Sequence, residues 1–367
     1  GQTNEDRPVS APRLLLVTKG LDLGGIERIV VDLAVGLSGA GAAVEVAVVN
    51  PRRRALFETL AAASVPVHEL GGSDRIGMDA SRRLARLVSS PAYDVVHVHG
   101  PLPAVVARLA PRHRAMVTTA HTPWSALRRS TRALVRTTAR LDRATVAVSA
   151  AVQASMPPFI AARMVVIPHG IDPQAVRAAA ATALPRAHPG EVLAIAVASH
   201  RDAKNYPNLL RAVQRARQAG AALRLLAVGD GPGLDAHARL AHELGIGDAV
   251  EFRPAVADVM PLIAGADLLV VASDHEGQPL VVSEALALGV PVVATAVGRV
   301  PEVVGRDVGR VVGTRDPDAL GAAIAELVLD PALRRSLGEA ARQQGAGRTL
   351  DDVVSDHLQL YHRVLGS

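Results

Sequence analysis

Two glutamates with seven residues between them stand in the segment Ser273-Asp274-His275-Glu276-Gly277-Gln278-Pro279-Leu280-Val281-Val282-Ser283-Glu284, which runs on to Gly289 and Pro291. The apolar run ending at Val271 predicts a strand, the Gly/Pro stretch a loop, and the residues from Pro279–Leu280 onward a helix. Proline suits a first helical turn, where its missing N–H costs nothing. The free amides of Leu280 and Val281 would then face an anion, most simply a phosphate. Glu276 lies ahead of that helix and Glu284 about one and a half turns into it. One carboxylate is thus placed for a ligand's reacting end and the other for its far end.

Other residues of chemical interest lie upstream. The turn Lys19-Gly20-Leu21-Asp22-Leu23-Gly24-Gly25-Ile26-Glu27-Arg28 puts Gly24 and Gly25 at a helix N-terminus, where backbone can approach an anion closely. It lacks the G-x-G-x-x-G dinucleotide fingerprint, so an ordinary strand-to-helix turn fits it equally well. His97 and His99 share one face of an apolar run, a pairing that raises a metal. No third ligand is apparent, so His99 and Gly100 are placed at a cleft rim and His97 in packing. His121 follows the run Ala115–Ala120, at a strand end where a cleft residue belongs.

The elements that must position these groups are short β-branched runs alternating with Ala/Leu/Arg-rich helical stretches. One series of candidate strands is Leu14–Thr18, Val44–Val49, Val65–Glu69, Val95–His99, Ala115–Ala120, Thr145–Val148 and Val165–Ile167. A second is Val192–Ala196, Leu223–Val228, Val250–Phe252, Leu268–Val271, Val292–Ala294 and Gly309–Val312. Near-continuous apolar runs of this kind fit parallel strands buried on both faces. The pattern predicts two Rossmann-like, doubly wound domains, residues 1–172 and 173–367, with a cleft between them. The connector His169–Gly190 carries Pro173, Pro185 and Pro189, and its Ala-rich core can form one short helix. A C-terminal helix near 350–365 is expected to pack back on the first domain.

Composition narrows the function further. The 367 residues contain no Cys, which excludes a disulfide scaffold, a thiolate metal site and a Cys nucleophile. Aromatic residues are 2%, too few for a base-stacking platform, so nucleic acid is not an expected partner. No apolar run reaches the roughly 20 residues of a spanning helix, and the start GQTNEDRPVSAP has no apolar core of a secretory signal. A soluble, cytoplasmic protein is therefore expected. Residues 1–172 hold 21 Lys or Arg against 13 Asp or Glu, and residues 173–367 hold 19 against 22, a net of +8 and −3. Much of the excess lies between Trp124 and Arg143. On one helix over 125–143, Arg128, Arg129, Arg132, Arg136, Arg140 and Arg143 fall within about 120°, opposite Leu127, Leu134 and Leu141. Either the leucines face a core and the arginines water, or the basic face meets anionic lipid or a phosphate-bearing acceptor. The second reading would make the protein peripheral at the inner membrane face.

Taken together, the motifs resemble glycosyltransferase family 4, retaining enzymes of the GT-B fold with a Glu-x7-Glu motif. The likeness runs in order through GGIER at 24–28, DVVHVHG at 94–100, TTAHTPW at 118–124, VAVSAAV at 146–152, VIPHGID at 166–172, VASHRDAKNYPNLL at 197–210, VGDGPG at 228–233 and VGRVPEVV at 297–304. It implies a UDP- or GDP-type nucleotide-sugar donor held mainly by the C-terminal domain. Glu284 would bind the ribose hydroxyls and Glu276 the hydroxyls of the transferred sugar. The loop Gly277, Gln278, Pro279, Leu280 and Val281 would lie against sugar and pyrophosphate, with the Gly24–Gly25 turn also on the donor and Arg253 near the base. Arg201 and Lys204 would counter the diphosphate charge, although Ser199 and His200 stand where many members carry the Gly ahead of the Arg. His121 resembles the histidine that reaches the donor sugar or the reacting centre. His169 matches a hinge position often held by Asn, and Gly298 with Glu302 a donor-side loop or a helix cap.

The expected reaction is sugar transfer to an acceptor hydroxyl by front-face substitution, with no cofactor and no essential metal, since fixed cations and helix-end amides can stabilise the leaving diphosphate. The acceptor, a small molecule, a glycan or a lipid-linked sugar, is assigned to the N-terminal domain. Two rivals stand beside this reading: a GT-B nucleotide-sugar epimerase, which would act on donor alone, and a non-catalytic nucleotide-sugar-binding protein.

Overall fold

The structure, a computed structural model, describes residues 12–73, 76–111, 115–182, 190–345 and 347–366. The start GQTNEDRPVSA and the connector prolines Pro185 and Pro189 lie outside the described residues. The first series of apolar runs forms β1 (Arg13–Thr18), β2 (Ala43–Val48), β3 (Val67–Glu69), β4 (Val95–His99), β5 (Ala115–Ala120), β6 (Ala144–Ala147) and β7 (Met164–Val166). The second forms β8 (Val192–Val197), β9 (Leu223–Val228), β10 (Val250–Arg253), β11 (Leu268–Val271), β12 (Val292–Thr295) and β13 (Gly309–Val312). The sheets are ordered β3-β2-β1-β4-β5-β6-β7 and β10-β9-β8-β11-β12-β13. Pairing is parallel throughout; Leu14–Val17, for instance, lie opposite Val95–Val98. β4 is buried at all five positions and β11 at all four. Parallel strands covered by helices on both faces leave no position for an alternating polar residue.

The chain divides into two compact units, each with its own core. One takes Gly1–Val148, Gln153–Ile167 and Leu350–Ser367, the other Ser149–Val152 and Pro168–Thr349. In the first, helices Gly25–Gly39 and Leu350–Gly366 cover one sheet face through Val30, Leu33, Val353, Leu360 and Tyr361. Gly36 has no room for a side chain beneath Val354, which lets those helices approach closely. Helices Met78–Val88 and Pro101–Arg108 cover the opposite face. In the second unit, Tyr206–Gln218 and Pro317–Leu329 lie on one side and Met260–Ala264 with Leu280–Ala287 on the other.

The passage between the units departs from the expected boundary at 172. Pro168–Ile171 already belongs to the second unit, because Ile171 forms a parallel bridge with Thr349 and Gly170 lies directly against the Thr349 carbonyl. The Ala-rich connector is the helix Pro173–Ala181, capped by Asp172, whose carboxylate accepts the amide of Gln174 at 2.7 Å.

The arginine-rich stretch also differs from a single helix over 125–143. A 3-10 turn, Trp124–Ala126, is followed by extended Leu127 and Arg128, and the α-helix spans only Arg129–Thr138. The leucines do not face the core: Leu134, in the helix, is 45% exposed and Leu141, in the 3-10 turn Ala139–Leu141 that follows, 43%. The buried face carries Thr131, Thr138 and Ala139 instead. Polar bonding decides that orientation. Buried Arg108 donates from Nε and Nη2 to Asp142 at 2.8 and 2.6 Å, and from Nη1 to Thr138 at 3.2 Å. A buried guanidinium must be satisfied, and that turns the helix on its axis with the leucines outward. Among the described residues no helix is long and apolar enough to cross a membrane.

Candidate active site

In the second sheet the strand order reverses between β8 and β11, the place where ligands bind beyond the carboxyl ends of an open parallel sheet. The loops leaving these two strands carry Lys204 and Glu276. Lys204 ends the 3-10 turn Asp202–Lys204, and Glu276 follows β11 by a short loop. The Lys204 Nζ forms an ion pair with Glu276 Oε1, which also accepts the Ser273 hydroxyl at 2.8 Å. The side chains are 26% and 14% exposed, so both remain open to a ligand.

The loop around Glu276 is braced from behind. Thr295, at the end of β12, donates to the Ser273 carbonyl at 2.6 Å, and the Arg299 amide donates to the Gly277 carbonyl at 3.1 Å. Gly298, at φ 50°, lies so close to the Glu276 and Gly277 carbonyls that a side chain there would collide with them. That contact is reason enough for a glycine here. Glu302 pairs with Arg299 at 3.0 Å on the surface.

Several sequence-predicted positions have different surroundings from those expected. Pro279 is not in the first turn but is the extended N-cap residue of Leu280–Ala287. No side chain caps this helix, which leaves its first-turn amides, Leu280 and Val281 among them, without a capping side chain. Glu284 is buried at 3% exposure within the helix. Gln278 uses both ends of its amide on one residue: it accepts the His169 amide at 2.8 Å and donates to the His169 carbonyl at 3.0 Å. It ties the connector to the loop. Gly277 is buried beneath the same loop. Arg253 is engaged by Glu251, at 2.5 Å from Nη2. Arg201 is exposed and makes no side-chain bond among the described residues.

In the first unit Gly24 is the N-cap of the helix Gly25–Gly39, with the Glu27 carboxylate folded over it, while Gly25 faces open space. His99 is not at a rim. It is 2% exposed, and its Nδ1 lies 3.0 Å from Nε2 of buried His121. The His97 ring lies tilted against that of His99, centroids 4.2 Å apart, and bonds Tyr361 and Thr119, each at 2.7 Å. Burial, with His357 nearby, lowers His121 to about 3, so its imidazole is neutral. His99 therefore does not belong with the exposed Arg128, Arg129 and Arg136, and Arg132 is only half-exposed.

Sequence reasoning missed Ser273 and Thr295. Bonds from a side chain to a distant loop carbonyl leave no spacing pattern to read.

The chain matches two family models, described as Glycosyltransferase Family 4 over residues 23–175 and as Glycosyl transferases group 1 over residues 185–344. It is 35% identical over 144 residues to the N-acetyl-alpha-D-glucosaminyl L-malate synthase of Bacillus anthracis, covering 39% of this chain and 38% of the relative. It is 37% identical over 159 residues to the GDP-mannose-dependent alpha-(1-6)-phosphatidylinositol monomannoside mannosyltransferase of Mycobacterium tuberculosis, covering 40% and 41%. These matches therefore span less than half the length of either relative. Among solved structures, Anabaena HepE in complex with UDP and glucose superposes with a TM-score of 0.81 at 19% identity, over 96% of this chain and 100% of that one. At that identity the likeness is one of fold, and the fold is GT-B.

Proposed function

Taking the chain as a glycosyltransferase of the family-4 type with the GT-B fold, we propose that it is a retaining enzyme moving a sugar from a nucleoside diphosphate sugar to an acceptor hydroxyl. The observation that carries this reading is the Lys204–Glu276 pair, braced yet open at the switch point of the second sheet. In the donor-free chain the ammonium and carboxylate satisfy one another. A bound donor offers each a better partner: the diphosphate takes the Lys204 ammonium, and the sugar hydroxyls take Glu276. Arg201 and the first-turn amides of Leu280 and Val281 add positive charge, and Glu284 takes the ribose. As the glycosidic bond breaks, the bond electrons pass to the leaving diphosphate, and fixed donors aimed there stabilise that charge without reorganising. This set supplies the electrophilic assistance without an essential metal. The departing phosphate oxygen takes the acceptor proton on the same face, which gives retention. His121 supplies a neutral imidazole as a hydrogen-bond partner for substrate.

The donor is of UDP or GDP type. HepE was solved with UDP and the mycobacterial relative is named for GDP-mannose, so both nucleotides belong in the test. The acceptor is assigned to the first unit. Residues 95–141 of that unit contain no Asp or Glu, and exposed Arg128, Arg129, Arg136 and Arg140 share a surface helix and its flanks with exposed Leu134 and Leu141. Basic and apolar side chains presented together suit a lipid-linked acceptor at an anionic membrane surface.

The test is a thermal-shift screen of UDP, GDP and their sugars, followed by transfer assays. A nucleotide at about 100 times its Kd adds about 2.7 kcal/mol of stability. Lys204→Ala and Glu276→Ala are each expected to lower transfer by about 10²–10³ with the melting temperature retained. Wild-type-like turnover by either variant would overturn the assignment. Epimerised product from donor incubated alone would point to a different reaction.

A further inference from the structure

Behind the Lys204–Glu276 pair lies a residue that no motif distinguishes. Asp274 is 11% exposed, and every polar group of it that the structure engages points at another loop. Its backbone amide donates to the Ala203 carbonyl at 2.9 Å, and its Oδ1 accepts Nδ2 of Asn205 at 2.9 Å. Lys204 is therefore pinned on both sides by one aspartate, which sits on the same loop as Glu276. The second carboxylate oxygen, Oδ2, accepts Nε of Arg315 at 2.8 Å, from the loop between β13 and the helix Pro317–Leu329.

The backbone at these two partners argues that the bonds matter. Among the described residues three non-glycine positions have positive φ: Ser64, Asn205 at 45° and Arg315 at 58°. Two of the three are the residues that Asp274 holds. Glycine would adopt either conformation freely, whereas a side chain there is unfavourable, for Arg more than for Asn. Both positions nonetheless carry side chains, and both side chains reach the same carboxylate. Asn205 also accepts the Asn208 amide at 3.2 Å as the cap of the following helix, whereas among the described residues Arg315 makes no other side-chain bond that would explain its presence. Arg315 has a second effect. An uncompensated carboxylate beside the site would compete for the Lys204 ammonium and repel an anionic donor, and the Arg315 guanidinium neutralises it.

We propose that Asp274 and Arg315 are positioning residues: the aspartate fixes the Lys204 loop against the Glu276 loop, and Arg315 orients the aspartate and cancels its charge. This rests on the reading of Lys204 and Glu276 as the donor site. Lys204 acts most strongly when charge has reached the leaving diphosphate, so its displacement lowers kcat more than it raises the donor KM.

Arg315→Gly separates this role from a structural one, because glycine relieves the backbone while removing the tie. With UDP-glucose and GDP-mannose as the first donors tried, it is expected to keep the wild-type melting temperature. Its kcat should fall about 10- to 100-fold, with the donor KM within about threefold. Arg315→Lys, which restores the charge, should recover part of kcat, and Asp274→Ala should reproduce the loss. Unchanged kcat in both Arg315→Gly and Asp274→Ala would overturn the proposal, as would losses confined to KM. Lys204→Ala serves as the control. If it is inactive while Arg315→Gly and Asp274→Ala are both fully active, the positioning role alone fails; if Lys204→Ala is itself active, the donor-site reading fails.

Discussion

The two units place different chemistry at topologically equivalent strand ends. β4 and β11 occupy the same position in their sheets, next to the central strands β1 and β8, and β5 matches β12. In the first unit β4 ends in His99, and His121 follows β5; both are buried and in contact. In the second, the loop after β11 carries Asp274 and Glu276, β12 ends in Thr295, and the charged groups stay partly exposed. One frame therefore supports a desolvated histidine cluster and an ionic, partly exposed one. An ion pair that must exchange partners does so more easily when partly exposed, since an ion stripped of water holds its existing partner strongly. Neutral imidazoles can be buried where their ring nitrogens find partners, as those of His97 do in Tyr361 and Thr119.

The buried charges of the first unit sharpen the contrast. Arg108 and Asp142 are 4% and 1% exposed and bonded on every side, which marks a structural pair. Asp142→Ala would leave a guanidinium buried without its carboxylate, and we expect a loss of about 3–5 kcal/mol in chemical denaturation. Glu276→Ala, in the open pair, should cost under about 1 kcal/mol. Equal losses would erase the distinction between a structural and a working ion pair.

A second measurement addresses the outer surface of the same unit. Arg129→Glu with Arg136→Glu should weaken sedimentation with phosphatidylglycerol vesicles about 30-fold, from about 1 kcal/mol per basic residue at an anionic surface. Neutral phosphatidylcholine vesicles should bind neither protein. Equal binding of wild type and variant to both vesicle types would assign this surface to something other than anionic lipid.

The smallest expected effect is a pH dependence that both units share. Burial lowers His97, His121, His200 and His237 below the ordinary histidine value, His200 to about 4. The unfolded chain takes up protons near pH 6.5 that the folded chain refuses. Stability is therefore complete above that value and declines as pH falls toward the folded values. The melting temperature should drop by several degrees between pH 7.5 and 5, and less steeply in His200→Phe. A flat profile would mean that these imidazoles are solvated.

Much of the architecture was readable because parallel strands covered on both faces leave uninterrupted apolar runs. All thirteen predicted strands are present, although the termini shift by a residue or two. Glu276 stood out in its local Gly/Pro frame and Lys204 through the family resemblance, and the structure brings the two side chains together. The surroundings of Gln278, His99, Leu134 and Leu141 were not. Each was set by a partner far along the chain: His169 for Gln278, His121 for His99, and the Arg108–Asp142 pair for the helix that turns its leucines outward.

The sequence by itself determined two doubly wound sheets, a lopsided charge, and the residue types at the strand ends. Periodicity and local turn chemistry act over a few residues, so they can be read in a line. Only the tertiary structure decided which charges are structural and which are open, and which face of the arginine-rich helix meets solvent. It also decided that Asp274 joins loops at positions 205 and 315. Those outcomes depend on desolvation and on satisfying buried polar groups, and both are properties of neighbours in space.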